Sequence, residues 1–186
     1  IRPSFIQHLP GGIKHYKWYL GLMPRAIEAF DLSGFDLVLS DASAFAKGVR
    51  VPAGIPHICY LHTPTRYLWS DKESYLATAP IPKWSRPLLN SIYPFLQRWD
   101  LAAAARPTSY IANSETVAAR LKRYYHRTAA AVVFPPVDAS QFTLRPSVGD
   151  YWFTVARFEP YKRLDLILDA FAQLGWPLKV AGTGSQ

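Results

Sequence analysis

Arg157, Lys162 and Arg163 fall close together in the stretch VARFEPYKRLDL, residues 155–166. An apolar run, YWFTVA, leads into it, and an amphipathic run, LDLILDAFAQL, follows. That order predicts a strand, a short turn and a helix. The free N–H groups of a helix's first turn carry partial positive charge, so cations are disfavoured there. They become favourable when an anion, typically a phosphate, sits between them and the helix. Arginine offers a fork for two phosphate oxygens and lysine a mobile point charge. The three cations fit equally well a surface ion-pair cluster with Glu159 and Asp165. At the next strand end, AGTGS supplies Gly182 and Gly184, which allow a backbone to approach a phosphate closely. A lone G-x-G also fits an ordinary tight turn.

The elements that must position these residues recur along the chain. Short apolar runs read as strands: FDLVLS before Asp41, HICYL before His62, SYIA before Asn113, AAVVF before Pro135, YWFTVA before Arg157 and LKVA before Gly182. Their continuous apolar character fits strands buried on both faces of a parallel sheet. Helical patterns lie between them. PRAIEAFDL precedes the first strand. SETVAARLKRYYHR places Val117, Leu121 and Tyr124 at helical spacing, with Asn113 or Ser114 as N-cap. RLDLILDAFAQL places Leu164, Ile167, Leu168, Phe171 and Leu174 on one face, and Gly175 stops it. This alternation predicts a doubly wound α/β fold. Ligands of such folds bind outside the carboxyl ends of the strands. Here those ends present Asp41, His62, Asn113, Arg157 and Gly182. FPPVDASQFTLRPSVGD, with three prolines, reads as a linker between two α/β domains, and residues 64–100 read as irregular.

Composition narrows the function classes. Of the 186 residues 49% are hydrophobic, enough for a packed core. The net charge is +8, and residues 1–150 carry most of it, with 17 Lys/Arg against 10 Asp/Glu. Such an excess points to an anionic partner: phosphate, nucleic acid or a membrane surface. The single cysteine, Cys59, makes no internal disulfide, which fits a reducing compartment, and it reads as a small buried hydrophobe. No apolar run approaches the roughly 20 residues needed to span a bilayer. The full G-x-G-x-x-G fingerprint, the Walker A loop and the G-x-S-x-G elbow are absent. The five histidines show no zinc-ligand spacing, so no metal site is expected. The chain starts at Ile1 and stops in a glycine loop, as expected of a fragment cut at both ends.

Taken in order, DLVLSDASAFAKGV, HICYLHTPTRYLW, YIANSETVAARLKRYYHR, VVFPPVD, VARFEPYKRLDLILDAF and PLKVAGTG resemble the retaining glycosyltransferases of family 4, also called group 1. The likeness extends to bacterial mannosyltransferases that build O-antigen and other surface polysaccharides, and it covers nearly the whole chain. It implies the GT-B architecture, two Rossmann-like domains with parallel sheets. Residues 1–137 would be most of the first, acceptor-side domain, residues 138–150 the linker, and residues 151–186 the start of a truncated nucleotide-sugar-binding domain.

The resemblance also implies roles. Arg157 and Lys162 match the pair that holds the donor's diphosphate and offsets charge on the leaving group, with no metal or other cofactor. His62 matches a histidine near the transferred sugar; taken alone, it reads equally as a capping or core histidine. Gly182 and Gly184 match the glycine loop near the donor. Arg163 reads as either a phosphate ligand or a solvated charge. The implied activity is transfer of a mannose-like hexose from a GDP- or UDP-linked sugar, GDP-mannose in particular, to a lipid-linked glycan. It would take place in the cytoplasm, at the inner face of the plasma membrane. The family's Glu-x7-Glu motif would lie beyond Gln186, so this fragment alone is expected to be inactive. LWSD replaces the Trp-Asp of relatives, which leaves the part played by Asp71 open. Two other readings remain: an inactive remnant or non-enzymatic, membrane-associated nucleotide-binding module, and a nucleotide-binding α/β enzyme of other chemistry, such as an epimerase.

The segment Arg66–Arg127 holds ten Lys/Arg against four Asp/Glu, with Trp69, Trp84, Trp99 and several tyrosines. The mixture suits an anionic membrane interface. It suits equally an ordinary solvated face with buried aromatics. No nucleic-acid motif accompanies it, so no nucleic-acid partner is expected.

Overall fold

The structure is a computed structural model and describes residues 2–73, 86–143 and 147–184. The chain divides into two compact units, Ile1–Pro136 and Val137–Gln186. Unit 1 opens with short 3-10 helices at Phe5–His8 and Tyr16–Leu22, then α1 (Met23–Glu28), β1 (Val38–Ala42) and β2 (His57–Leu61). It continues with α2 (Arg86–Ala104), β3 (Ser109–Ala112), α3 (Glu115–Tyr125) and β4 (Ala131–Val132). Its strands form one parallel sheet in the order β1-β2-β3-β4. Unit 2 contains β5 (Trp152–Val155), α4 (Leu164–Leu174) and β6 (Leu178–Ala181), with β5 and β6 paired in parallel. The expected α/β class with parallel sheets is the one observed. Among the described residues no helix is long and apolar enough to cross a membrane.

The strands fall where the apolar runs place them, but their burial differs from expectation. β1 alternates: Val38, Ser40 and Ala42 are buried, whereas Leu39 is 70% exposed and Asp41 faces outward. β2 and β3 alternate between buried and half-buried positions, and β5 is mostly exposed. Only one face of the first sheet is fully covered among the described residues. That face packs Ala42, Cys59, Leu61, Tyr110 and Ala112 against Ala104 of α2 and Val117, Leu121 and Tyr125 of α3. Burial pushes the Cys59 thiol up, which makes it an inert hydrophobe rather than a reactive group.

Ser114 is the N-cap of α3, its hydroxyl accepting from the Val117 N–H at 3.3 Å. The third buried residue of that helix is Tyr125; Tyr124 is half-buried and packs on Trp69. α4 ends at Gly175, in the left-handed region, as expected. Its covered stripe is narrower than the sequence suggested: Leu164 is buried and Ile167 and Phe171 half-buried, while Leu168 and Leu174 are exposed.

The main correction is α2. Residues 64–100 read as irregular from their content of Pro, Trp, Tyr, Lys and Arg. The structure places residues 86–104 in one helix, with Pro94 inside it and exposed. Tyr93, Leu96, Asp100 and Ala103 form its buried stripe. Residues 74–85 of that stretch, Trp84 included, lie outside the described residues.

Asp100 is fully buried, and both of its oxygens are fully used. Oδ1 accepts from Lys47 Nζ at 2.5 Å and from Thr65 Oγ1 at 2.9 Å. Oδ2 accepts from Trp69 Nε1 at 2.8 Å and from Tyr125 Oη at 2.6 Å. Lys47 also donates to the Ala44 carbonyl at 2.6 Å and to Thr65 Oγ1 at 3.2 Å. The Thr65 N–H donates to Tyr125 Oη at 3.0 Å. Desolvation pushes the Lys47 ammonium down, against the pull of Asp100. Burial, then the Asp100 charge, pushes the Tyr125 phenol up. A second tie surrounds Glu28, which accepts from Trp99 Nε1 at 2.6 Å and pairs with Arg106 at 2.5 Å and with Arg50 at 2.9 Å.

Removing one partner of a buried ion pair typically costs about 3–5 kcal/mol. Asp100→Ala is therefore expected to lose that much stability in urea unfolding. The double variant Lys47→Met, Asp100→Leu should lose clearly less than the sum of the single losses. Burial of Glu28 raises its carboxyl, but the Trp99 and Arg106 hydrogen bonds and the Arg106 and Arg50 charges outweigh this and hold it below the usual value. A depressed acid contributes stability above its unfolded value, near about 4.3, and loses it as pH falls through its folded value. The stability gap between the parent and Glu28→Gln should be constant near neutrality and close below about pH 4, as read by urea midpoints.

Candidate functional site

At the carboxyl edge of the first sheet the chain leaves β1 and β2 side by side. Asp41 pairs in register with Tyr60, and His62 continues β2, its N–H donating to the Ala42 carbonyl at 2.9 Å. This register brings the His62 ring to Asp41, with Nε2 bonded to Oδ1. The Asp41 and His62 side chains are 76% and 40% exposed, and Tyr60 packs edge-on against the imidazole at 5.3 Å. A carboxylate on Nε2 selects the tautomer that carries its proton there. It leaves Nδ1 as the atom that can accept from a ligand. The sequence marks both residues as strand ends but gives no sign of their contact. The register of two parallel strands is the signal that could have found it.

His57 shows the contrast. It begins β2 at the other end, is buried, and lies 2.8 Å from Ser40 Oγ through Nε2. Burial holds its imidazole below the ordinary value. It is a core histidine.

The loops that follow Asp41 and His62 are fixed by the Asp100 network. Lys47 lies in the 3-10 turn Ala46–Gly48 after β1, and Thr65 caps the turn Arg66–Leu68 after β2. Gln97 of α2 donates to the Leu68 carbonyl at 2.7 Å. Asp71 pairs with Arg66, and its N–H donates to the Arg66 carbonyl at 2.9 Å, so it closes the second turn.

In unit 2 the loop after β5 and the loop after β6 lie against each other. The Ala156 N–H donates to the Ala181 carbonyl at 3.1 Å, the Phe158 N–H to the Thr183 carbonyl at 3.0 Å, and Phe158 forms a parallel bridge with Gly184. A Cβ on Gly182 would stand 1.8 Å from the Ala156 carbonyl oxygen, and one on Gly184 2.2 Å from that of Phe158. Gly182 also has φ +149°, where other residues are strained. The two glycines thus bring their own backbone against the segment that carries Arg157.

The three cations differ. Arg157 is 77% exposed and faces Glu159 at 3.6 Å, too long for a hydrogen bond. Lys162 is exposed, with its ammonium 5.2 Å from the Tyr161 ring centroid. Arg163, in the left-handed conformation at the start of α4, grips both oxygens of Asp165 at 3.1–3.2 Å. That contact raises the guanidinium and lowers the carboxyl. Asp165 also supplies the acid that the first helical turn favours.

Among the described residues of 66–127 most aromatics turn inward, although Phe95 is 49% exposed. Tyr93, Tyr110 and Tyr125 are buried, and Trp69 and Trp99 are half-buried with their indole N–H groups bonded to Asp100 and Glu28. Among the described residues of that stretch, the aromatic content is mainly core.

The sequence pattern of Glycosyltransferase Family 4 matches residues 2–141. The chain belongs to that family. Membership carries a glycosyl-transfer role and places Asp41, His62 and the Asp100 network inside the matched span. The match ends before Arg157, Lys162, Gly182 and Gly184. No curated protein matches this family 4 chain.

The glycine geometry gives a direct test. Gly182→Ala is expected to separate the two loops of unit 2 and abolish its near-ultraviolet circular dichroism from Trp152 and Trp176, which stack at 5.7 Å. Gly34→Ala, at a position with open space around it and no left-handed backbone, should leave that signal unchanged.

Proposed function

We propose that the chain is part of a retaining glycosyltransferase that takes a mannose-like hexose from a nucleotide sugar and adds it to a lipid-linked surface glycan. The observation that carries the donor reading is in unit 2. Two exposed cations, Arg157 and Lys162, follow a parallel strand in a loop that lies against the loop carrying a glycine pair. That is the chemistry a diphosphate needs: donors at close range and positive charge with little desolvation cost. Arg157 and Lys162 are assigned to the diphosphate and would stabilise charge building on the leaving group. Gly182 and Gly184 supply the close backbone approach. His62, oriented by Asp41, is assigned to the sugar. No metal or other cofactor is assigned a part. Cytoplasmic action beside a membrane follows from the donor and acceptor classes.

GDP and UDP titrated into the chain should bind weakly by calorimetry, and binding should persist in EDTA. Arg157→Ala with Lys162→Ala removes two charge-assisted contacts, each worth about 1.5–3 kcal/mol, so affinity should fall at least about a hundredfold. Both side chains are exposed, so the melting temperature should stay put. Equal binding by the double variant would remove these residues from the donor site.

A further inference from the structure

A cavity of about 450 Å³ in unit 1 is lined by Arg50, Val51, His57 and Arg106. It lies at the amino ends of the strands. His57 opens β2 and His62 follows its last residue, so at about 3.3 Å per residue the two stand about 16 Å apart. Arg106 is set in place: its guanidinium lies 5.8 Å from the Trp99 ring centroid, donates to the Gly48 carbonyl and pairs with Glu28 at 2.5 Å. Arg50 is looser. Its side chain is 68% exposed, and it reaches Glu28 through Nε at 3.1 Å and one terminal nitrogen at 2.9 Å. Its other terminal nitrogen has no hydrogen-bond partner among the described residues. Two guanidinium groups therefore share one carboxylate, and the cavity keeps an excess of positive charge.

His57 is held on both sides. Its N–H donates to Thr108 Oγ1 at 3.1 Å, and Nε2 lies 2.8 Å from Ser40 Oγ. Its Nδ1 is buried and has no partner among the described residues. Burial holds the imidazole below its ordinary value, so near neutral pH one ring nitrogen is a donor and the other an acceptor. With the Ser40 hydroxyl donating to Nε2, Nδ1 carries the proton and lacks only an acceptor.

We propose that this cavity binds a small oxyanion of the phosphate class, held by Arg50 and Arg106 with His57 Nδ1 as a further donor. A guanidinium fork matches two oxygens of such an anion, and the imidazole adds a bond to a third. Glu28 opposes the ligand by like charge and limits its affinity. The anion would join the loop after β1, the start of β2 and the chain leaving α2. The proposal rests on no part of the donor reading.

The test is titration of inorganic phosphate into the Arg157→Ala, Lys162→Ala variant, which silences the other cationic loop, while the His57 ring resonances are followed by NMR. Saturable shifts are expected with a Kd of about 1–10 mM, and none from sodium chloride at matched ionic strength. Phosphate at saturation should raise the melting temperature. Arg50→Ala should weaken binding about tenfold with little change in melting temperature without phosphate, and Arg50→Lys should recover part of the loss. No saturable shift at His57, equal shifts from chloride, or unchanged affinity in Arg50→Ala each overturn the proposal. Shifts confined to His62 would place the anion at the carboxyl edge of the sheet and overturn it as well.

Discussion

The Lys47–Asp100 ion pair sits at full burial, where a charge is hardest to keep. Taking two ions out of water costs several kcal/mol each, and their attraction offsets this only when the remaining bonding capacity is used. Here it is used. Asp100 accepts four hydrogen bonds and Lys47 donates three. The partners come from four separate places: the turn after β1, the turn after β2, α2 and α3. A shifted turn would leave a buried charge short of a partner, so the pair selects one loop arrangement against its neighbours. Its net contribution to stability is small, since an apolar core of the same volume would pack about as well, whereas losing one partner strands a buried charge.

The consequence for chemistry is indirect. Asp41 and His62 are exposed and touch none of the buried network, yet each precedes a turn that the network holds. An imidazole aligned by a single exposed carboxylate would wander if its backbone did. The parallel register fixes where the two residues leave the sheet, and the Asp100 contacts fix the turns that follow. Unit 2 reaches the same end by other means. Its two loops meet because Gly182 and Gly184 have no Cβ to keep them apart.

Strand positions were legible because apolar runs of this length, bounded by polar or glycine residues, have few other uses. The degree of burial was not, because an apolar run does not tell how much covers its second face. α2 was hidden by Pro94 and Asp100. An exposed proline forfeits one backbone bond without ending a helix whose other side is anchored by Tyr93, Leu96 and Ala103. A buried acid is indistinguishable from a surface acid until its partners are known, and those of Asp100 lie 25 to 53 residues away. His62 and Gly182 could be named from motif order. The Asp41 partner needed the register.

The cations at the start of α4 show how a local rule can be satisfied without being visible. Three positive residues at a helix N-terminus look like a violation when counted by sequence position. In the structure Arg163 is bound to Asp165 through two parallel contacts, and that carboxylate occupies the first turn. Arg163 is thereby committed to local structure. Arg157, itself exposed, faces Glu159 in a long ion pair, and surface pairs contribute about 0–1 kcal/mol. Exchanging such a carboxylate for a doubly charged phosphate costs little, because Arg157 is already near water and its geometry is not locked. The helix dipole is served by Asp165 and its partner Arg163, and Arg157, held less tightly, is the arginine freer to change partners.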